Sequence, residues 1–432
     1  MERVGTIEVG EHVGERVRVA GWLHSLRRLG GVNFLVIRDG WGIVQVVTES
    51  EAELGPLQDG VPGVESIVVV EGVVVSEAQA PGGVELHQPR IEVITPVTEV
   101  PPVPLNKRKI TASIGTLLDH AVVTNRHPAR RAVLRLGAGV MAGFRSTLVE
   151  RGFTEIQTPK IVAAATESGA NVFKLDYFGR PAFLAQSPQF YKQAMVGVFE
   201  RVFEVGPVFR AEPHDTTRHI NEYVSLDAEF GFIENHFTVM ALLRDVIAGI
   251  LTTLHEQFAA ELKILQVKMP EEIPHMFFPE AQELIYKRYK TDVRGEPDLS
   301  PQDERWLGEW ARQEFGSDFL FVTGYPMRKR PLYTHPDPEH PEYSNSFDLL
   351  FRGTELVTGG QRLHLYSDYI AALERAHLPI EPFEAYLEAF KYGMPPHGGF
   401  AIGLERLLMQ LTGMNNIKLT TTFPRDLTRV TP

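Results

Sequence analysis

Phe203-Glu-Val-Gly-Pro-Val-Phe-Arg210 and Tyr223-Val-Ser-Leu-Asp-Ala-Glu-Phe230 flank the run Ala211-Glu-Pro-His-Asp-Thr-Thr-Arg-His219. The two flanks alternate apolar and polar residues, the period of a half-buried strand, and the run between them is built from loop formers. The unit therefore reads as a long antiparallel hairpin. Two arginines, Arg210 and Arg218, and three carboxylates would project from it into one space. Burying such charges is costly unless they meet each other or a charged ligand. A polyanion with a metal, together with a zwitterion, would satisfy all of them.

Outward from the hairpin, the first hundred residues read as all-β. Alternating segments lie at Arg16–Leu23, Val32–Arg38, Gly42–Thr48, Ser66–Val75 and Glu85–Val97, with Gly-rich turns at Leu29–Val32 and Pro81–Val84. Five short strands in so short a span suggest a small closed barrel of the oligonucleotide-binding kind, with any other small β-barrel as the plain alternative. Pro101-Pro-Val-Pro-Leu-Asn-Lys-Arg-Lys109 reads as a stiff, basic linker. From His127 to Glu150 apolar residues recur at helical spacing, and Gly152 suits the position after a helix end. Beyond it strands and helices mix without regular βαβ alternation, which favours an α+β domain on an antiparallel sheet. The expected division is 1–100 barrel, 101–127 linker or hinge, and 128–432 catalytic domain.

With 432 residues the chain has room for two domains. No signal-like segment opens it, and its apolar runs read as too short to span a membrane. The absence of Cys rules out disulfides and thiolate zinc sites and is compatible with a reducing cytoplasm. A net charge of −12, with 15 acidic against 10 basic residues in positions 1–110, argues against non-specific nucleic-acid binding. Any such contact there needs a local patch or base stacking.

Three separated segments resemble the signature motifs of class II aminoacyl-tRNA synthetases. Gly152-Phe-Thr-Glu-Ile-Gln-Thr-Pro159 after the long helix resembles motif 1, the hairpin with Phe209-Arg210-Ala-Glu212 motif 2, and Gly398-Gly-Phe-Ala-Ile-Gly-Leu-Glu-Arg-Leu-Leu408 motif 3. The resemblance narrows to aspartyl-tRNA synthetases of the archaeal and eukaryotic type and runs nearly end to end. Its carriers are Thr166-Glu-Ser-Gly169, Gln186-Ser-Pro-Gln-Phe-Tyr-Lys-Gln193, Asn345-Ser-Phe-Asp348, Glu355-Leu-Val-Thr-Gly-Gly-Gln-Arg-Leu-His364 and Phe423-Pro-Arg-Asp426.

The resemblance implies an ATP-dependent ligase that makes aspartyl-adenylate and passes the aspartyl group to tRNA. It makes Arg210 and Arg406 the catalytic cations, with Glu212, Arg218, His219, Tyr223 and Glu355 completing the ATP site. Asp348 and Glu355 would ligate Mg²⁺. Lys192 and Arg362, the latter bidentate, would take the substrate side chain. Glu167, Gln189 and Asp227 would take its ammonium, with Thr358 and His364 nearby. Pro159 belongs to the segment that builds a homodimer. On the barrel, Phe34 would stack on an anticodon base and Gln45 would hydrogen-bond to it. His24 and Pro81 stand where strict members carry Trp and Lys, which implies charging of tRNA-Asn as well as tRNA-Asp, with an amidotransferase downstream. Ala401 departs from the Gly common in motif 3. The nearest rival, asparaginyl-tRNA synthetase, lacks the Lys of the Gln-Ser-Pro segment and the Asp of Leu226-Asp-Ala-Glu229. A strictly tRNA-Asp-specific enzyme would carry the same catalytic motifs. A silent tRNA-binding paralogue would share the fold, but such chains usually lose an arginine of motif 2 or 3, and both Arg210 and Arg406 are present.

Overall fold

The computed structural model describes residues 1–57, 63–163, 171–259, 261 and 271–432. Two compact units divide at Ala129 and Arg130.

The first unit is a closed five-stranded barrel. β1 (Arg16–Leu29), β2 (Val32–Arg38), β3 (Ile43–Thr48), β4 (Ile67–Ser76) and β5 (Val84–Thr95) close in the order β1-β2-β3-β5-β4. Alternation puts Val17, Val19, Leu23, Leu35, Ile37, Val44, Val46, Val68 and Val70 inside. β1 runs six residues further than the apolar pattern indicates, because its polar end still pairs with β2, Arg27 facing Phe34. Earlier in β1, Gly21 permits a close approach to the end of β2: a Cβ would meet the Arg38 carbonyl at 2.2 Å. The segment expected as a linker is ordered within this unit. Val103 and Leu105 are buried, and Ser113 caps α1 (Ile114–Asp119), which leads to α2 (Ala121–Thr124).

In the second unit α3 (Pro128–Glu150) runs into β6 (Thr154–Glu155) through Gly152 at φ +78°, as the helix-stop reading requires. A small sheet follows, β7 (Ile161–Val162), β8 (Lys174–Tyr177) and β9 (Arg180–Leu184), in the order β7-β9-β8. Next come α4 (Gln189–Phe199), the hairpin strands β10 (Arg201–Phe209) and β11 (Glu222–Gly231), and α5 (His236–Gln257). β12 (His275–Phe277), α6 (Phe278–Tyr289), α7 (Pro301–Phe315), β13 (Phe319–Thr323), β14 (Ser346–Phe351) and β15 (Glu355–Gln361) succeed them. The described elements close with α8 (Tyr366–Arg375), α9 (Glu384–Lys391), β16 (His397–Gly403) and α10 (Leu404–Thr412).

The main sheet has eight strands in the order β12-β13-β14-β15-β16-β11-β10-β6. Its six central strands are antiparallel, as expected, while the outermost pairs, β12 with β13 and β10 with β6, are parallel. One face packs Val224, Leu226, Ala228 and Phe230 against α3 and α5, the last three buried. Those two helices are long and apolar enough in composition to span a membrane, contrary to the run-length reading; each instead packs an apolar face into this core. The opposite face of β11 presents Tyr223, Ser225, Asp227 and Glu229. The hairpin's alternation is thus the boundary between core and site.

Candidate active site

A cavity of about 470 Å³ opens on that polar face. Its floor is set by sheet register. Glu204, Asp227, Ala401, Thr358 and Asp348 are consecutive cross-strand partners over β10, β11, β16, β15 and β14. The sequence places these residues in four distant motifs, and hydrogen-bonded pairing brings them into one row.

At one end the cavity holds a buried charge cluster. Gln189, Lys192 and Gln193 share one face of α4 through i, i+3, i+4 spacing, and all are buried. Lys192 Nζ lies 3.0 Å from Asp227 Oδ1 and 3.2 Å from Glu229 Oε2, and donates to the Phe400 carbonyl at 3.4 Å. Arg362 Nε donates to Glu229 Oε1 at 2.9 Å, and its Nη2 donates to the Gly399 carbonyl at 3.1 Å. Glu229 therefore bridges both cations. Burial alone would raise its pKa, but Arg362 and then Lys192 outweigh that and hold it below the ordinary carboxylate value. Gly399 makes the bridge possible: a Cβ there would lie 2.2 Å from Glu229 Oε2. Asp227 also accepts from the Ser225 hydroxyl at 2.5 Å.

The rest of the lining includes Arg210, Glu212, Arg218, His219, Tyr223, Glu355 and Arg406. Arg210 lies 3.8 Å from Glu212 and its guanidinium stands 6.0 Å from the Tyr223 ring centre. His219 pairs with Glu212 at 3.6 Å, and Arg218 with Glu304 at 3.3 Å. Arg406 Nη1 donates to the Glu355 carbonyl at 2.9 Å and meets its carboxylate at 3.5 Å. These side chains are partly exposed and loosely paired, unlike the sealed cluster. Glu405, beside Arg406 but buried, accepts from Val224 N, and burial pushes its pKa up to about 7.

Asp348 lies beside Thr358 on the neighbouring strand. Its carboxyl is buried and pairs with Arg330 at 3.1 Å. Burial pushes its pKa up to about 6; Arg330 opposes this and the nearby Glu355 adds to it. Asp348 and the nearby Glu355, both hard oxygen donors, suit a cation that uses one or two carboxylates and fills its remaining positions with water and phosphate. Among the described residues no group of three His, Cys, Asp or Glu gathers, so the donor set fits Mg²⁺ rather than a zinc cage.

Gln189, Lys192, Arg210, Glu212, Arg218, His219, Tyr223, Asp227, Glu355, Thr358, Arg362 and Arg406 all line the one cavity. Asp348 reaches it through Arg330. His364 is not on the lining; it stacks on His335 with centroids 6.4 Å apart. Glu167 lies outside the described residues. The expected bidentate grip of Arg362 on a substrate is restricted, because Glu229 already takes the Nε edge.

Sequence reading did not single out Glu229, Arg330, Ser225 or Glu405. Glu229 was legible in principle, two residues from Asp227 on the same strand face. Arg330 was not: it stands in the basic run Met327-Arg-Lys-Arg330, which reads as solvated charge.

On the barrel, Phe34 is half-buried on β2 and Gln45 on β3 donates to Glu85 at 2.9 Å. His24 accepts from Arg38 at Nδ1, 3.1 Å away, and its burial and that guanidinium lower its pKa. Pro81 opens the turn Pro81–Gly83 between β4 and β5, and Pro159 is exposed just beyond β6.

Residues 113–427 match the family described as tRNA synthetases class II (D, K and N), and residues 17–94 match the OB-fold nucleic acid binding domain. A protein named Aspartate--tRNA(Asp/Asn) ligase from Deinococcus radiodurans is 45% identical, with 100% of this chain and 99% of that protein covered. One named Aspartate--tRNA(Asp) ligase from Pyrococcus horikoshii is 40% identical over 97% of each. Among solved structures, asparaginyl-tRNA synthetase from Pyrococcus horikoshii, complexed with asparaginyl-adenylate, superposes with a TM-score of 0.92 at 31% identity, covering 100% of both chains. Barrel, sheet, cavity and kinship agree: the chain belongs to the class II aminoacyl-tRNA synthetases, in their aspartyl-tRNA synthetase family.

Proposed function

We propose that this enzyme activates L-aspartate with ATP and charges both tRNA-Asp and tRNA-Asn. The observation that carries the amino-acid choice is the sealed pair of cations, Lys192 and Arg362, tied by one carboxylate. In the first step an oxygen of the substrate α-carboxylate attacks the ATP α-phosphorus and pyrophosphate leaves. Arg210 bridges the attacking carboxylate and the α-phosphate, where negative charge grows in the transition state. Tyr223 and Arg406 sandwich the adenine, Glu212 accepts from its amino group, and Arg218 and His219 meet the outer phosphates. Asp348 and Glu355 would hold Mg²⁺, which when bound neutralises phosphate charge. In the second step a terminal ribose hydroxyl of tRNA attacks the mixed anhydride and AMP leaves; class membership implies the 3′-hydroxyl.

Lys192 and Arg362 face the substrate's side-chain carboxylate, while Gln189 and Asp227, with Glu167, take its ammonium. Thr358 stands beside the metal ligands, and His364 follows Arg362 by two residues, off the cavity lining. Asparagine would turn amide N–H groups toward two fixed cations and leave them unpaired, a penalty large enough for discrimination. The enzyme works as a homodimer through the segment containing Pro159, in the cytoplasm, with an amidotransferase converting Asp-tRNA-Asn.

The tRNA range rests on the barrel. Phe34 supplies a stacking face and Gln45 a polar contact, as single-stranded RNA recognition requires. His24 and Pro81 replace the larger and charged groups that restrict the third anticodon base. Transcripts of tRNA-Asp and tRNA-Asn, tested side by side, should both accept aspartate. The double change His24→Trp, Pro81→Lys should lower kcat/KM for tRNA-Asn by about ten- to a hundredfold, the worth of one polar base contact, while sparing tRNA-Asp. An uncharged tRNA-Asn would sink the dual-range reading without touching the aspartate reading.

A further inference from the structure

Behind the cavity wall lies a buried polar chain that touches no part of the ATP site. His397 and Gln193 have no solvent exposure. The His397 ring places Nδ1 2.8 Å from the Pro395 carbonyl and Nε2 2.9 Å from Gln193 Nε2. The same Gln193 nitrogen donates to the Tyr369 hydroxyl at 3.1 Å. Gln193 Oε1 accepts from the Tyr386 hydroxyl and from Gln189 Nε2, both at 2.9 Å. Gln189 is buried and lines the cavity.

The hydrogens in this chain follow from one fixed group. A backbone carbonyl only accepts, so His397 carries its proton on Nδ1 and offers a lone pair at Nε2. Burial keeps the ring neutral, with its pKa lowered to about 4. Facing that lone pair, Gln193 must present its NH₂, whose two hydrogens then reach Nε2 and the Tyr369 hydroxyl. Its carbonyl is thereby turned toward Gln189, which must answer with its own NH₂. The remaining atom of that amide, Gln189 Oε1, is left as an acceptor for the site. Reversing Gln193 would set its carbonyl against the imidazole lone pair in a dry interior, where an unsatisfied acceptor disfavours the arrangement about tenfold or more.

We propose that His397 and Gln193 are positioning residues for amino-acid recognition: the hydrogen-bond chain from the Pro395 carbonyl fixes Gln189 with its carbonyl oxygen, not its NH₂, available to the substrate ammonium. The inference rests on the reading of Gln189 as an ammonium ligand. It adds that the orientation of that ligand is dictated two residues deep in the core. Lys192 shares the helix face but takes no part in the chain, so the Gln189 share of ammonium recognition is supported apart from the Lys192–Asp227 pair.

The test compares L-aspartate with succinate, which keeps both carboxylates and lacks the ammonium. Gln193→Leu and His397→Phe are measured in full-length enzyme by ATP–pyrophosphate exchange, with succinate as competitive inhibitor. The aspartate KM should rise about ten- to a hundredfold, the worth of one hydrogen bond to a charged group. The succinate Ki and the KM for ATP should stay near wild type. His397→Gln keeps an acceptor where Nε2 stood and should restore most of the aspartate affinity. Should the first two variants fail to fold, Gln193→Met, which keeps the length and volume of the side chain without its amide, decides the matter: it must raise the aspartate KM while leaving the succinate Ki near wild type. Equal weakening of aspartate and succinate in a variant that melts normally overturns the proposal, as does an unchanged aspartate KM. Gln189→Leu separates the two layers. If it leaves the aspartate KM unchanged, the ammonium reading itself fails. If it raises that KM while Gln193→Leu does not, only the positioning chain fails.

Discussion

Replacing Lys192 by Met is expected to reduce aspartate-dependent ATP–pyrophosphate exchange by about a thousandfold or more and to lower unfolding stability by about 3–5 kcal/mol. The two effects have one cause. Lys192 is 1% exposed and its ammonium lies between Asp227 and Glu229. Methionine fills a similar volume but takes from Asp227 its paired ammonium and leaves Glu229 with Arg362. One of the two carboxylates must take up a proton or draw in water. From the sequence, such a change reads as a loss of activity in an otherwise intact fold; burial adds the cost in stability. Thermal unfolding beside the exchange assay checks both parts. A variant that melts normally and exchanges within tenfold of wild type would show that the buried pair matters to neither.

Arg210→Ala should have the opposite profile. Its side chain is 41% exposed, so removal should change stability by less than about 1 kcal/mol. Because Arg210 is assigned to charge that develops in the transition state, the exchange rate should fall by about a thousandfold, with smaller changes in KM for ATP and aspartate. Arg210→Lys should recover little, because a point charge cannot bridge two oxygens as a planar fork does. If instead KM rises and kcat holds, Arg210 binds ground-state substrate and the transition-state assignment is wrong. Together the two variants distinguish a sealed specificity pocket from an open catalytic rim.

That contrast also explains what was legible in the sequence. The hairpin's period of two separated core from site correctly, since Val224, Leu226, Ala228 and Phe230 alternate with the polar set. The barrel was readable for the same reason, strand by strand, although β1 continued past its apolar pattern because pairing rather than burial holds its end. Residues proposed as ligands on regular elements, such as Lys192 on α4 and Asp227 on β11, were carried by local motif. What escaped was set by register and burial between distant segments. Glu229 looks like one more acidic strand residue until Gly399 on a neighbouring strand lets its carboxylate lie flat between Lys192 and Arg362. Arg330 looks solvated until Asp348, on another strand, meets it inside. The chain through Gln193 and His397 joins residues 204 positions apart and has no local signature.

The central claim is that the two tethered cations select aspartate. It is tested most directly by ATP–pyrophosphate exchange of the wild-type enzyme with L-aspartate and L-asparagine at equal concentrations, before any tRNA is added. Strong exchange with aspartate and background exchange with asparagine is the predicted result. Exchange supported by asparagine as well as or better than aspartate, or by neither, would contradict it.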